Sequence, residues 1–137
     1  MSSTRKPRVL VADDESHIRV LMKAALSKMN CEVVAEAKDG QETIDRFREC
    51  RPDMLLLDIN MPLKSGEEVT REIRQEFPDA LIVILSSVAD LESVEGVIDS
   101  GAAHYIRKDT PLKEMMQIIR DAFQEHYGRK PLGRNTV

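Results

Sequence analysis

Apolar residues occur along the chain in two alternating patterns. Short unbroken runs, such as residues 9–12 (VLVA) and 54–57 (MLLL), are typical of buried strands. After each run, apolar residues recur every three or four positions, which is the spacing of one face of a helix. The pattern predicts five strands, at residues 8–13, 32–37, 53–58, 81–85 and 104–107, and a helix after each strand.

The predicted helices have recognisable ends. Asp39-Gly40 opens the second helix, Pro78 ends the third because proline cannot continue a helix, and Gly101 ends the fourth. In chain order, the residues predicted to face the core are Ile18, Leu21, Met22, Ala25, Leu26, Met29, Thr43, Ile44, Phe47, Val69, Ile73, Phe77, Leu91, Val94, Val97, Ile98, Leu112, Met115, Met116, Ile119, Ala122 and Phe123.

Continuously apolar strands joined by helices are typical of a parallel sheet that is covered on both faces. We therefore predict a single doubly wound α/β domain, and 137 residues are enough to bury its core. In such sheets ligands bind at the carboxyl ends of the strands. Functional residues are accordingly expected directly after the predicted strands.

The composition is that of a soluble globular domain, with 42% hydrophobic and 32% charged residues. It excludes a disordered or collagen-like chain, and no apolar run is long enough to span a membrane. Because the first residues lack the apolar segment of a signal peptide, we expect a cytoplasmic protein. A net charge of -4 argues against a nucleic-acid surface. Cys31 and Cys50 lack metal-site spacing and are expected to be reduced thiols.

Polar side chains follow four of the predicted strands. Taken alone, each has an ordinary explanation: Asp14 or Ser16 could cap the first helix, and Asp58 could start a turn. Together they would place carboxylates, hydroxyls and an ammonium group on one rim of the sheet. The residues in this set are Asp13, Asp14, Glu15, Asp58, Ser86, Ser87 and Lys108.

Such a rim requires positive charge. Two carboxylates about 5 Å apart repel by roughly 3 kcal/mol at an effective dielectric constant near 20. Carboxylate and backbone oxygens favour Mg²⁺ or Mn²⁺ over zinc, and loosely held Mg²⁺ commonly accompanies phosphate chemistry. The residues therefore predict a phosphoryl-transfer site in which a strand-end aspartate is the covalent acceptor.

These residues resemble those of response-regulator receiver domains over about residues 8–126. The matching motifs are VADDE at 11–15, LDINMP at 57–62, Gly66, ILSS at 84–87, Gly101-Ala102, Tyr105 and Lys108. The resemblance implies a flavodoxin-like (βα)5 fold with strand order 2-1-3-4-5. It leaves residues 1–7 as an N-terminal extension and residues 127–137 as a C-terminal tail or linker.

The resemblance also implies a role for each site residue. Asp58 would accept the phosphoryl group, and Ser86 and Lys108 would sense it. Tyr105 would change its packing, as Ser86 moves, and so alter the α4-β5-α5 surface. Such a domain catalyses only its own phosphorylation and dephosphorylation. The implied ligands of Mg²⁺, for which Mn²⁺ can substitute, are Asp13, Asp14, Asp58 and the carbonyl of Asn60.

The implied partners are a histidine kinase or histidine phosphotransfer protein, and a downstream protein or separate output domain. A phosphorylation-dependent homodimer is a further option, and no direct contact with nucleic acid or membrane is expected. Two apolar residues are predicted to lie off the core-facing stripes of their helices. We predict that Val20 lies beside the docking face for the kinase, and Ile118 on an output or dimer face.

The sequence departs from the family pattern in the segment after Lys108, where Asp109 stands in place of the usual proline. A cis peptide bond is therefore not expected there. Ser86 replaces the commoner threonine. Asn60 and Val88, each two residues past a site residue, are expected to influence water access and hence phosphoryl lifetime.

Three other functions fit these residues less well. A dehalogenase-type phosphotransferase needs a second aspartate at the position of Asn60, and asparagine cannot donate the proton. An FMN carrier would be repelled by the acids after the first strand. The third alternative is a receiver-like module that works without phosphorylation, against which the complete set of acid, hydroxyl and lysine argues.

Overall fold

The computed structural model describes residues 5–87 and 91–128, and for residues 91–94 it describes the backbone alone. Val88, the side chains of Leu91 and Val94, and residues 129–137 of the predicted tail lie outside this description. Strands and helices alternate along the whole described chain. They are β1 (Arg8–Ala12), α1 (Ser16–Lys28), β2 (Glu32–Ala37), α2 (Gly40–Cys50), β3 (Met54–Asp58), α3 (Gly66–Glu76), β4 (Ile82–Ser86), α4 (Leu91–Asp99), β5 (His104–Arg107) and α5 (Leu112–Tyr127).

The strands form one five-stranded sheet in the order β2-β1-β3-β4-β5, and every neighbouring pair is parallel. This confirms the predicted doubly wound fold and strand order. Alternate residues of the central strands enter two apolar clusters, one on each face. For example, Leu56 packs with residues of α1 and α5, whereas Leu55 packs with residues of α2 and α3. Burial on both faces explains why these strands are continuously apolar.

Most predicted core-facing side chains are buried, and three positions need correction. Leu21 and Ile98 were predicted to face the core but are exposed, because both lie at the margin of their apolar stripes. Ile118 was predicted to lie off the core, yet it is partly buried and packs against it. The reason is helical spacing, since Ile118 is three residues after Met115 and four before Ala122, both of which are buried.

The ends of several helices follow from local chemistry. The side chain of Asp39 caps α2 by accepting a hydrogen bond from the backbone N–H of Glu42. Ser65 and Glu68 form a reciprocal capping box at the start of α3. Gly101, two residues after α4, has a φ of 118°, a conformation that favours glycine. The predicted boundaries at Asp39-Gly40, Pro78 and Gly101 agree with the structure.

Both ends of the described chain are attached to the amino-terminal edge of the sheet. Asp53, which is largely buried, accepts hydrogen bonds from the Arg5 guanidinium at 2.6 and 2.8 Å and from the backbone N–H of Arg8 at 2.7 Å. The Tyr127 hydroxyl donates to the backbone carbonyl of Asp53 at 2.6 Å. We call these four residues the Asp53 clasp. Among the described residues, no helix combines the length and apolar character needed to cross a membrane.

Candidate phosphoryl-acceptor site

The carboxyl edge of the sheet brings the predicted site residues together. Asp58 and Ser86 are the last residues of β3 and β4, while Asp13 and Lys108 directly follow β1 and β5. These four strands are neighbours in the sheet. Because all of them run in the same direction, their ends form one continuous rim.

Three aspartates form the acidic part of the site. Asp13 is fully buried, Asp58 is only 3% exposed, and Asp14 is exposed at the mouth. One carboxylate oxygen from each lies within 4.8 Å of the others. Burial and the neighbouring charge of Asp13 raise the pKa of Asp58 to about 7, although the charge of Lys108 opposes the shift.

The donor set fits a hard divalent cation. Three carboxylate oxygens at this separation are the kind of ligand that Mg²⁺ and Mn²⁺ prefer, and a cation would relieve their mutual repulsion. The Oδ2 atom of Asp13 is buried and has no hydrogen-bond partner among the described residues. It is paired only by charge, with the ammonium of Lys108 at 3.0 Å.

Lys108 supplies the positive charge of the site. Its Nζ donates a hydrogen bond to Oε1 of Glu15 at 2.8 Å, and it lies 3.3 Å from Oδ1 of Asp58. Burial alone would lower the pKa of Lys108, but the hydrogen bond to Glu15 and the ion pairs with Asp13 and Asp58 outweigh burial and raise it. The side chain is therefore a permanent cation at neutral pH.

Ser86 presents a buried hydroxyl beside this charge cluster. The residue is fully buried, and its Oγ has no hydrogen-bond partner within the described parts of the chain. A buried polar atom without a partner costs roughly 1–3 kcal/mol. A ligand with acceptor oxygens at the end of β4 would satisfy this hydroxyl.

The loop after β3 is held tightly against Asp58. The backbone N–H of Asn60 donates to Oδ1 of Asp58 at 3.3 Å, and Gly66 N–H donates to the Ile59 carbonyl at 2.9 Å. A Cβ atom on Gly66 would lie 2.7 Å from the Ile59 Cα and 3.0 Å from the Asp58 carbonyl oxygen. Glycine at this position therefore allows α3 to start directly beside Asp58.

Two residues hold the parts of the site in place: Arg19, which was not among the predicted rim residues, and Glu15, which was among them but had no predicted role. Arg19 on α1 donates to the backbone carbonyl of Asp13 at 2.6 Å and to Glu36 of β2 at 3.0 Å. Glu15 binds Lys108 through its side chain, and its backbone N–H donates to Oδ1 of Asp13 at 2.8 Å. A basic residue one turn beyond the acidic run was the only signal for Arg19.

Tyr105 lies on the outer strand β5 with 44% of its surface exposed. It pairs in register with Ile84 of β4, which places it on the sheet face that α2, α3 and α4 cover. Within the described residues no peptide bond is cis, so the bond between Lys108 and Asp109 is trans.

Residues 9–120 match the family model described as the response regulator receiver domain. The chain belongs to the response-regulator receiver family. The matched segment contains every residue of the site described above.

Named relatives agree with this assignment. The receiver is 37% identical over 119 residues to the oxygen regulatory protein NreC of Staphylococcus epidermidis. The aligned segment covers 85% of this chain and 55% of NreC. The receiver is also 34% identical over 101 residues to the chemotaxis protein CheY of Thermotoga maritima, covering 74% of this chain and 84% of that protein. The chain thus spans about half the length of NreC and most of CheY.

Solved receiver structures have the same fold. The signal receiver domain of the response regulator NarL from Mycobacterium tuberculosis superposes with a TM-score of 0.77 at 29% identity, covering 85% of this chain and 95% of that one. A receiver domain from Clostridium thermocellum gives a TM-score of 0.79 at 30% identity, covering 87% and 95%. Receiver domains of two-component response regulators are signalling switches and not conventional enzymes.

Proposed function

We propose that this receiver is a phosphorylation-dependent switch that accepts a phosphoryl group on Asp58. The proposal rests on the surroundings of Asp58. Its buried carboxylate lies 3.3 Å from the ammonium of Lys108 and close to the carboxylates of Asp13 and Asp14. The unpartnered hydroxyl of Ser86 at the end of the next strand supports the same function.

In the proposed reaction, a carboxylate oxygen of Asp58 attacks phosphorus, and the bond from phosphorus to the donor's leaving atom breaks. Lys108 neutralises charge on the phosphoryl oxygens, and the Ser86 hydroxyl donates a hydrogen bond to one of them. Asp13, Asp14, Asp58 and the Asn60 carbonyl would hold Mg²⁺ or Mn²⁺, which supplies further charge neutralisation. Attack of water on the phosphorus of the acyl phosphate would break its bond to the Asp58 oxygen, release inorganic phosphate and return the carboxylate.

Phosphorylation of Asp58 would change the surface around β5, and this change would be the output of the switch. When Ser86 binds the phosphoryl group, the end of β4 would tighten, and Tyr105 on the paired strand β5 would change its packing. The α4-β5-α5 surface would then bind a downstream protein or a separate output domain. We take residues 8–126 as the receiver unit and place it in the cytoplasm. Direct contact with nucleic acid is not expected of this unit, and a phosphorylated homodimer is one form of the output.

Intact-mass spectrometry tests the central claim. The wild type is incubated with acetyl phosphate and Mg²⁺, beside Asp58→Asn and a chelator control. One added phosphoryl mass that is labile to hydroxylamine, and absent from both controls, is the expected result. A folded wild type without the adduct would contradict the proposal and favour an interaction module that works without phosphorylation.

The phosphodonor partner is proposed to be a histidine kinase or histidine phosphotransfer protein that docks beside Val20. This side chain is 62% exposed on α1, close in sequence to the acids of the site. Val20→Glu places a charge on an apolar contact, so we expect at least a fivefold slower transfer from the partner and unchanged phosphorylation by acetyl phosphate. Gln75→Glu, which adds the same charge on an exposed part of α3, is the control. Equal transfer rates in both variants would exclude this docking position.

A further inference from the structure

The ammonium group of Lys108 has three carboxylate neighbours, and the nearest is not the proposed phosphoryl acceptor. Its Nζ lies 2.8 Å from Oε1 of Glu15, 3.0 Å from Oδ2 of Asp13 and 3.3 Å from Oδ1 of Asp58. Glu15 is exposed, whereas both aspartates are buried. The shortest contact therefore draws the ammonium toward the solvent side of the site.

The position of Glu15 at the N-cap of α1 leaves its carboxylate available for this contact. Glu15 occupies the N-cap position, but its side chain makes no capping hydrogen bond to the helix. Its Oε2 lies 3.9 Å from Nε2 of His17, which attracts it only when His17 is protonated. The hydrogen bond to Lys108 is thus the shorter and the permanently charged of these two contacts.

Building on the acceptor function proposed above, we propose that Glu15 is a positioning residue that competes with the phosphoryl group for Lys108. A phosphoryl group on Asp58 would bring strong acceptor oxygens close to Nζ. Lys108 can turn fully toward those oxygens only by weakening its bond to Glu15. Glu15 therefore favours the unphosphorylated arrangement and lowers the affinity of the site for a phosphoryl group.

Glu15→Gln tests this competition because it removes the charge and preserves the size of the side chain. The probe is beryllofluoride, a non-covalent phosphoryl analogue, and its affinity is measured at saturating Mg²⁺ so that altered metal binding does not contribute. We expect about twofold to fivefold tighter binding, the change that corresponds to the loss of one partly exposed ion pair. Glu15→Asp, which is one methylene shorter, is expected to give an intermediate affinity.

Glu32→Gln is the matched control. Glu32 is exposed at the start of β2, at the opposite edge of the sheet, and the substitution makes the same change in net charge. Its affinity for beryllofluoride should equal that of the wild type. An unchanged or weaker affinity in Glu15→Gln would overturn the role of Glu15 and leave the proposed function standing. Failure of the wild type itself to bind beryllofluoride and to accept phosphoryl groups would contradict the function.

A second measurement needs neither metal nor phosphate. The unfolding free energies of the wild type, Glu15→Gln, Lys108→Ala and the double variant are compared in chelator. If Glu15 acts through Lys108, the effects of the two substitutions are not additive. Additive effects would show that the two side chains do not interact in solution, and would overturn the proposal.

Discussion

At the scale of single residues, the site is a cluster of like charges held together by one lysine. Asp58 is buried next to Asp13, and without a divalent cation the ionised form of Asp58 is unfavourable. Burial and this neighbour give Asp58 a folded-state pKa of about 7, against about 3.9 for an unperturbed aspartate. The folded state therefore binds this proton more tightly than the unfolded chain.

Asp58→Asn is accordingly expected to stabilise the metal-free fold. As pH rises from about 4 to about 7, Asp58 in the wild type loses the stabilising effect of its bound proton, whereas the neutral amide of the variant has no proton to lose. A difference of about three pKa units corresponds to at most about 4 kcal/mol, and the variant also loses the ion pair between Asp58 and Lys108. We therefore expect a net gain on the order of 1–3 kcal/mol at pH 8 and much less at pH 4. Thermal unfolding of both proteins in chelator, at pH 4 and at pH 8, measures this gain in stability. An equal or lower melting temperature of the variant at pH 8 would show that the acids are not crowded.

The location of most site residues could be predicted from the sequence, because parallel strands bring their carboxyl ends to one rim. Asp13, Asp58, Ser86 and Lys108 are all found there. The bond between Lys108 and Glu15 could not be predicted, since the two residues are 93 positions apart and the contact depends on side-chain conformation. The role of Arg19 was missed for a similar reason, because this residue of α1 binds Glu36, which lies on a different element, β2.

At the scale of elements, the start of α3 and the end of β3 are in unusually close contact at Gly66. The nearest atoms to a Cβ there belong to the backbone, which has little room to move. Gly96 on α4 differs, because a Cβ would meet Oε1 of Glu67, 2.8 Å away at the end of a flexible side chain. The two glycines therefore provide a matched pair.

Gly66→Ala is expected to destabilise the protein by roughly 1–3 kcal/mol, because the added methyl group forces the Asp58 loop to shift. Phosphorylation by acetyl phosphate should also slow. Gly96→Ala is expected to be neutral or stabilising by up to about 1 kcal/mol, since alanine favours the helix. Urea denaturation midpoints and phosphoryl mass yields provide the comparison. Similar losses of stability and of phosphoryl yield in both variants would show that the close contact at Gly66 is not the cause.

The helix faces show where periodicity is informative and where it is not. Residues at the centre of each stripe, such as Met22, Phe47 and Ile119, are buried as predicted. At the margins of a stripe, the burial of a side chain depends on which neighbouring elements pack there. The periodicity of a single helix contains no information about those elements. Leu21 is exposed there, whereas Ile118 packs on the core.

At the scale of the whole molecule, the Asp53 clasp joins parts of the chain that are far apart in sequence. Arg5 and Tyr127 bind Asp53 from positions 48 residues before it and 74 residues after it. Local patterns of apolar residues contain no information about such pairs, so the clasp was not predicted. Burial, together with the charge of Asp53, raises the pKa of Tyr127 to about 12.

Tyr127→Phe removes the hydroxyl and should cost about 1 kcal/mol of stability near neutral pH. The raised pKa means that the tyrosine stabilises the fold fully below pH 10 and loses this contribution between about pH 10 and 12. The difference in unfolding free energy between the variant and the wild type should therefore become smaller as pH rises over that interval. Tyr105→Phe, at an exposed tyrosine, is the control. Denaturant unfolding at pH 7 and at pH 11 measures the difference in unfolding free energy between Tyr127→Phe and the wild type. If this difference is the same at both pH values, the Tyr127 hydroxyl is not the cause of the lost stability.

The clasp also fixes where a longer polypeptide could connect to the domain. Arg5 and Tyr127 meet at one residue, so the incoming and outgoing chains share a single attachment point. The five residues of β3 separate this point from Asp58 by about 17 Å, at roughly 3.3 Å per residue. We therefore expect that the domain tolerates insertion into another protein, or circular permutation by a short linker between its ends, while the strand ends around Asp58 keep their native connections.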